Sequence, residues 1–132
     1  MENVLKILLI EDDNDDIELL QNALQDNGVT NQMHVIKDGG LVAGYLETAQ
    51  EIPDIIVMDF NLPKVHGRDI LKHIKQIDNF QNIPLIILTT SSSQDDITYS
   101  YKEGANKYLI KPTTIQGINH VIESIIELAS NN

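Results

Sequence analysis

Four acids and one lysine stand directly after short apolar runs, and their types and spacing could support chemistry in common. They are Glu11, Asp12, Asp13, Asp59 and Lys111. Short apolar runs of this kind are typical of buried strands, and open α/β sheets bind their ligands at the carboxyl edge of the strands. Clustered carboxylates repel one another, and a divalent cation or an ammonium group relieves that repulsion. The sequence therefore predicts one charged pocket at a sheet edge, with Asp59 as its most informative residue.

The elements that must position these residues follow from the apolar pattern, which alternates between short runs and helical periods. Five predicted strands cover residues 6–10, 33–36, 54–58, 84–88 and 107–110. Five predicted helices cover residues 14–27, 40–48, 67–78, 94–103 and 115–129. Such alternation, joined by right-handed crossovers, predicts an α/β fold with a parallel sheet and helices on both of its faces.

The composition limits the class of protein. A chain of 132 residues with 42% hydrophobic residues suits one globular domain. A net charge of -11 argues against binding to nucleic acid or to anionic membrane surfaces, because both need a basic face. The chain has no cysteine, which excludes disulfides, thiol catalysis and zinc–thiolate sites. It shows no membrane-spanning apolar stretch and no signal-peptide pattern, so we expect a cytoplasmic protein.

Four motifs, all at predicted strand ends and in this order, together resemble the receiver domain of bacterial two-component response regulators. They are Glu11-Asp12, Asp59-Phe-Asn-Leu-Pro63 with Gly67 following, Thr89, and Lys111-Pro112. The resemblance covers residues 6–128, and the loop 61–64 and the run 88–90 are similar to the stand-alone receivers that pair with phytochrome-type histidine kinases. It implies a flavodoxin-like, doubly wound sheet with strand order 2-1-3-4-5, and a single receiver domain over residues 1–132 without an output domain.

The resemblance also implies a phosphoacceptor and a metal site. Asp59 would accept a phosphoryl group from a histidine kinase or a histidine phosphotransfer protein. Mg²⁺ would neutralise charge during the transfer, because phosphoryl transfer depends mainly on positioning and electrostatics. Asp12, Asp59 and the backbone carbonyl of Asn61 would bind the metal directly, and Glu11 would bind it through water. Asp13 is the competing acid in the first run, and we interpret it as a helix cap.

Three further residues complete the implied site. Lys111 would pair with a phosphate oxygen as a compact charge, and a cis bond to Pro112 would aim it into the pocket. Thr89 would donate its hydroxyl to another phosphate oxygen, with Thr90 as the competing residue. Tyr108 occupies the position of the aromatic switch residue, so Thr89 and Tyr108 are expected to respond to phosphorylation.

The resemblance also implies a signalling domain that acts through phosphorylation-dependent contact with an unidentified protein target. We do not expect it to be an enzyme. The segments 94–103, 107–110 and 115–129 would form one face, which we call the output face. It contains Tyr99, Tyr101 and Tyr108, three of the four tyrosines of the chain. Tyrosines are favoured at interfaces, so we expect this face to bind a target or to form a homodimer. The alternative is that Tyr101 packs inward and Tyr99 is merely solvated.

Two rival functions remain open. An aspartate-nucleophile phosphatase usually carries a second Asp two residues after its nucleophile, but here Asn61 occupies that position and cannot transfer a proton. A degenerate receiver would work only as an interaction module. The complete set of acids, threonine and lysine argues against that second rival.

Overall fold

The computed structural model describes residues 4–130, so the two ends of the predicted domain, residues 1–3 and 131–132, lie outside it. The strands are β1 (Leu5–Ile10), β2 (Asn31–Ile36), β3 (Ile55–Met58), β4 (Leu85–Thr89) and β5 (Lys107–Ile110). The helices are α1 (Asn14–Asp26), α2 (Val42–Thr48), α3 (Gly67–Gln76), α4 (Gln94–Lys102) and α5 (Ile115–Ser130). Within this part of the chain, no helix is long and apolar enough to cross a bilayer.

The five strands are all parallel and lie in the order β2-β1-β3-β4-β5. This confirms the predicted fold class, the strand order and the alternation of elements. The central strand β3 pairs with both β1 and β4, so Met58 lies beside Ile10 on one side and Ile87 on the other. Because these pairs lie at or near the carboxyl ends of their strands, the residues that follow them meet at one edge of the sheet.

A hydrophobic core lies on each face of the sheet. Successive side chains of a strand point to opposite faces, so Ile56 packs in the same cluster as Leu71 of α3. Val57 instead packs with Leu24 of α1 and Ile122 of α5. All four residues of β3 are fully buried, which explains why this strand is apolar throughout. Truncating one such buried aliphatic side chain to alanine typically costs about 2–5 kcal/mol, so packing on both faces stabilises the sheet that carries the carboxyl edge.

Some element boundaries differ from the predicted ones because backbone geometry, and not hydropathy, ends an element. The helix predicted at 40–48 begins as a 3₁₀ turn over Gly39–Leu41, which the side chain of Asp38 caps. Helix α3 ends at Gln76, two residues earlier than predicted, because Ile77 adopts an extended conformation with φ -94° and ψ 122°. Neither shift moves a residue of the predicted pocket.

Gly67 is required where α3 begins. A Cβ atom at this position would lie 2.4 Å from both Cα and Cδ1 of Phe60. No side chain fits that space, so the glycine lets the start of α3 approach the segment directly after Asp59. The close approach explains why a glycine stands at this position of the motif.

Candidate functional site

Three strand ends bring Glu11, Asp59 and Lys111 together. Each of these residues lies one position beyond a strand, and its backbone N–H still donates to a neighbouring strand. The acceptors are the carbonyls of Ile36 for Glu11 (3.0 Å), Ile10 for Asp59 (3.0 Å) and Thr89 for Lys111 (2.8 Å). The sheet's own hydrogen bonding therefore fixes the backbone of all three residues, and their side chains project from one edge.

The ammonium group of Lys111 is bound by three carboxylates. Its Nζ lies 2.7 Å from Oε1 of Glu11, 2.6 Å from Oδ2 of Asp16 and 2.8 Å from Oδ2 of Asp59. An ammonium group has three N–H donors, so these contacts use all of them. Sequence reasoning missed Asp16, because an acid in the first turn of a helix is ordinarily explained by the helix dipole.

The pocket favours an ionised Asp59 beside a protonated Lys111. Burial raises the pKa of Asp59, but hydrogen bonds from Lys111 and from the backbone N–H of Asn61 outweigh it and leave the pKa below its ordinary value. Burial raises the pKa of Glu11, and Lys111 offsets only part of that effect. Burial opposes the charged form of Lys111, but hydrogen bonds to Asp16, Asp59 and Glu11 raise its pKa well above the usual value. Asp59 is thus a carboxylate, which is the nucleophilic form.

Three acids of the pocket fit a divalent cation. Each of Glu11, Asp12 and Asp59 offers a carboxylate oxygen, and these oxygens lie within 4.8 Å of one another. Carboxylate oxygens are the ligands that hard cations such as Mg²⁺ and Mn²⁺ prefer. Glu11 and Asp59 are buried, whereas Asp12 is exposed. The exposed side suits an ion that keeps several of its waters.

Asn61 joins the acidic pocket to the end of β4. Its backbone N–H donates to Oδ1 of Asp59 at 3.0 Å. Its side-chain Nδ2 donates to Oγ1 of Thr90 at 3.2 Å and, more weakly, to Oγ1 of Thr89 at 3.5 Å. Thr89 is fully buried and Thr90 is exposed. Both hydroxyls lie near the pocket, so the choice of Thr89 over Thr90 stays a prediction, as does the role of the Asn61 carbonyl.

Two local expectations can be decided. Asp13 caps α1, because its Oδ1 accepts the N–H groups of Asp15 at 2.8 Å and Asp16 at 3.1 Å. The interpretation of Asp13 as a cap is therefore confirmed. The expected cis bond between Lys111 and Pro112 is wrong, since residues 4–130 contain no cis peptide bond. The ion pairs of Lys111 hold its side chain in the pocket, and its sheet hydrogen bond fixes its backbone.

Tyr108 lies under the loop that follows β4. Its side chain is buried, so of the three tyrosines predicted on the output face Tyr108 adds no exposed surface. Its ring meets the ring of Phe60 edge-on, and its hydroxyl donates to the carbonyl of Ser91 at 2.8 Å. The backbone N–H of Tyr108 donates to the hydroxyl of Tyr101 at 3.0 Å. Tyr101 is nevertheless 49% exposed, so the alternative that it packs inward is wrong. Tyr99 is half-buried on the core, and so it is not merely solvated.

Sequence reasoning also missed an ion pair beside the pocket. The guanidinium of Arg68 donates to Oδ1 of Asp96, and the hydroxyl of Ser91 donates to Oδ2 of Asp96 at 2.7 Å. The guanidinium also lies over the ring of Tyr99, 4.9 Å from its centroid. The one available signal was that Arg68, directly after Gly67, is the only arginine of the chain.

Comparisons with known proteins agree with this geometry. A family profile described as the response regulator receiver domain matches residues 7–123. The probable methanogenesis regulatory protein FilR2 of Methanothrix harundinacea is 34% identical over 125 residues, which cover 92% of this chain and 81% of that protein. The response regulator Rcp1 of Synechocystis sp. is 33% identical over 124 residues, which cover 90% of this chain and 84% of Rcp1.

Solved structures give the same result. The phosphorylated cyanobacterial phytochrome response regulator RcpA superposes with a TM-score of 0.87 at 33% identity, covering 98% of this chain and 97% of RcpA. The Mn²⁺-bound form of Rcp1 superposes with a TM-score of 0.82 at 32% identity, covering 92% and 91% of the two chains. These likenesses confirm the resemblance that the sequence motifs indicated. The chain therefore belongs to the response regulator receiver domain family, whose members are signalling domains of two-component phosphorelays and typically accept phosphate on an aspartate.

Proposed function

We propose that Asp59 is the phosphoacceptor and that its donor is a phosphohistidine on a histidine kinase or a histidine phosphotransfer protein. The observation that carries this proposal is the environment of the Asp59 carboxylate. It is buried beside Glu11, with Oδ2 bound by Lys111 and Oδ1 bound by the N–H of Asn61. A carboxylate held in this way is ionised and oriented before its partner arrives, as phosphoryl transfer requires.

In the transfer step, a carboxylate oxygen of Asp59 attacks the phosphorus atom of the phosphohistidine. The P–N bond breaks, its electron pair returns to the imidazole of the donor, and an acyl phosphate forms on Asp59. No proton has to leave the nucleophile, since Asp59 is already a carboxylate. Asp59 differs in this respect from a hydroxyl nucleophile, which would need an adjacent general base to remove its proton.

Mg²⁺ is the metal that we propose for the acidic cluster. When bound, it would neutralise charge on the transferring phosphoryl group. Asp12, Asp59 and the carbonyl of Asn61 would bind it directly, and Glu11 would bind it through water. The oxygen donors and the exposure of Asp12 support this assignment, and the relative Rcp1 has a Mn²⁺-bound form.

After transfer, we propose that Lys111 and Thr89 bind oxygens of the new phosphoryl group. Lys111 already contacts the oxygen of Asp59 at 2.8 Å, so its ammonium can move onto the phosphoryl group without leaving the pocket. Thr89 lies at the end of β4, and Tyr108 is hydrogen-bonded to Ser91 in the loop that follows. A shift of Thr89 would therefore reach Tyr108, the proposed switch residue, through that loop.

The phosphorylated protein would signal through the output face, which would contact a downstream target or a second copy of the chain. This face exposes large apolar side chains, with Tyr101 at 49%, Ile110 at 48% and Ile115 at 76%. A homodimer would use the same patch twice under two-fold symmetry. We further propose a phytochrome-type kinase as the phosphoryl source, supported by the likeness to the phytochrome response regulator RcpA. A single receiver domain over residues 1–132 and a cytoplasmic location stay predictions.

Phosphorylation of matched variants tests the proposal. Wild type, Asp59→Asn and Asp78→Asn are incubated with Mg²⁺ and acetyl phosphate or a phosphohistidine donor, and the labelled residue is located by mass spectrometry. Asp78 is exposed and lies just after α3, outside the acidic pocket, so its variant controls for the loss of one negative charge. We expect labelling in wild type and Asp78→Asn, and none in Asp59→Asn, because an amide is not a competent nucleophile.

The same experiment separates the rival functions. A stable phosphorylated form supports the receiver, whereas continuous release of phosphate without accumulation supports the phosphatase. An unlabelled wild type supports the degenerate interaction module. Full labelling of Asp59→Asn at another residue would show that the phosphoacceptor is assigned wrongly.

A further inference from the structure

The three carboxylates on Lys111 are not equivalent. Glu11 and Asp59 also belong to the cluster whose oxygens lie within 4.8 Å of one another, together with Asp12, and Asp16 does not. Asp59 is in addition the proposed phosphoacceptor. When a metal ion or a phosphoryl group is bound, Glu11 and Asp59 would therefore interact with that group as well as with the ammonium. Asp16 would interact with the ammonium alone.

The position of Asp16 keeps it beside Lys111 independently of the metal cluster. Asp16 lies in the first turn of α1, and its backbone N–H is bound by the capping side chain of Asp13 at 3.1 Å. Its contact with Nζ of Lys111, at 2.6 Å, is the shortest of the three. The side chain of Asp16 is 36% exposed, against 5% for those of Glu11 and Asp59. Asp16 is therefore the solvent-exposed partner of the ammonium group, whereas its other two partners are buried.

We propose that Asp16 is a positioning residue for Lys111. It holds the ammonium group in the pocket when a divalent cation interacts with Glu11 and Asp59, and also when Asp59 carries the phosphoryl group. One donor of Lys111 then remains on Asp16 while another turns to a phosphoryl oxygen. This inference rests on the proposed function, because it assumes that Asp59 and the acidic cluster are the reacting site.

The simpler explanation of Asp16 is that it interacts favourably with the dipole of α1. Asp15 allows the two explanations to be separated, because it lies in the same first turn and carries the same charge. Asp15 is exposed, and within residues 4–130 the ion pairs of Lys111 are those with Glu11, Asp16 and Asp59. A role in the helix dipole predicts equal effects for Asp15→Asn and Asp16→Asn, whereas positioning predicts an effect for Asp16→Asn alone.

Nuclear magnetic resonance of the lysine ammonium group provides the test. An ammonium held by hydrogen bonds exchanges its protons slowly with water, and so it gives a sharp correlation between its protons and ¹⁵Nζ. Wild type, Asp15→Asn and Asp16→Asn are compared without metal, with Mg²⁺, and with Mg²⁺ plus beryllofluoride, a tetrahedral mimic of a phosphoryl group on a carboxylate. We expect the Lys111 signal to persist in all three states of wild type and Asp15→Asn. In Asp16→Asn it should be lost on addition of Mg²⁺.

Affinity for beryllofluoride gives a second readout on the same samples. Loss of one partly exposed, charge-assisted hydrogen bond should weaken it about three- to tenfold in Asp16→Asn, and less than about twofold in Asp15→Asn. A Lys111 signal that survives Mg²⁺ in Asp16→Asn, or that is absent from Mg²⁺-bound wild type, would overturn the inference, as would equal loss in both variants. If wild type binds Mg²⁺ and keeps the Lys111 signal but takes up no beryllofluoride at Asp59, the proposed function fails and the role of Asp16 in the metal-bound state stands.

Discussion

Arg68 donates two hydrogen bonds to a single oxygen of Asp96, from Nε at 2.9 Å and from Nη2 at 2.7 Å. The other oxygen of Asp96 accepts the hydroxyl of Ser91, whose carbonyl accepts the hydroxyl of Tyr108. The start of α3 is thereby tied to the start of α4, to the loop after Thr89 and to the proposed switch residue. A conformational change that moves this loop therefore has to distort or break the Arg68–Asp96 ion pair.

Arg68→Ala should loosen the loop between β4 and α4. Its stability cost should stay below about 1 kcal/mol, because the Arg68 side chain is 35% exposed. Amide hydrogen exchange should nevertheless become faster at residues 91–96, where the pair is lost. Lys72→Ala removes the same charge from an exposed position of α3 and should leave that exchange unchanged. Equal exchange in both variants would mean that the pair does not restrain the loop.

The pair should also make stability depend on pH. Burial raises the pKa of Asp96, but hydrogen bonds from Ser91 and Arg68 outweigh it and leave the pKa below its ordinary value. The ionised Asp96 therefore stabilises the fold above the pKa of the unfolded chain, and that contribution is lost as the pH falls through the lower folded-state pKa. Urea unfolding of wild type and Asp96→Asn should give a constant difference near neutral pH that shrinks below about pH 4. A difference that grows on acidification would reverse the assigned sign.

Metal affinity should depend unequally on Glu11 and Asp12, the first two of the three acids that follow β1. Asp12→Ala should weaken Mg²⁺ binding strongly, by about tenfold or more, because a direct ligand is lost. Glu11→Ala should weaken it less, because the proposed contact runs through water. Titration calorimetry measures both, and Asp15→Ala serves as a control for one lost negative charge. The reverse order of effects would mean that Glu11 is the direct ligand.

Lys111→Ala should still accept phosphate on Asp59, but the phosphorylation should no longer change the conformation of α4 and Tyr108. The divalent cation supports the transfer, whereas Lys111 is proposed to bind the phosphoryl oxygens afterwards. Hydrogen exchange over Gln94–Lys102 and at Tyr108 should change on phosphorylation in wild type and in the exposed control Lys102→Ala. It should not change in Lys111→Ala. A wild-type response in that variant would show that another residue couples the phosphate to α4.

Association should change through the output face. Ile115 is 76% exposed, so Ile115→Ser removes apolar surface without disturbing the core. Sedimentation of the phosphorylated protein should show weaker self-association or target binding in this variant. Leu41→Ser is the matched control, because Leu41 is 64% exposed and lies in the turn before α2, outside the output face. An effect of Leu41→Ser with none of Ile115→Ser would place the interface elsewhere.

The sequence by itself determined the architecture and the main members of the pocket. Strand and helix periods differ, 2.0 against 3.6 residues, so the alternating elements could be identified from the sequence alone. Because parallel strands end at the same edge of a sheet, Glu11, Asp59 and Lys111 had to meet once their strands were placed. Asp13 could likewise be identified as a cap, since capping depends only on the residues that follow it.

The tertiary structure alone decided the partners that lie on helices. Asp16 and Lys111 are 95 residues apart in the chain, and Arg68 and Asp96 are 28 apart. Each acid lies in the first turn of a helix, where its sequence context indicates only a favourable interaction with the helix dipole. Their contacts depend on how α1, α3 and α4 pack against the sheet, and that packing is set by the side chains of both hydrophobic cores together. No local pattern carries that information, because the direction in which a helix docks is a property of the whole packed surface.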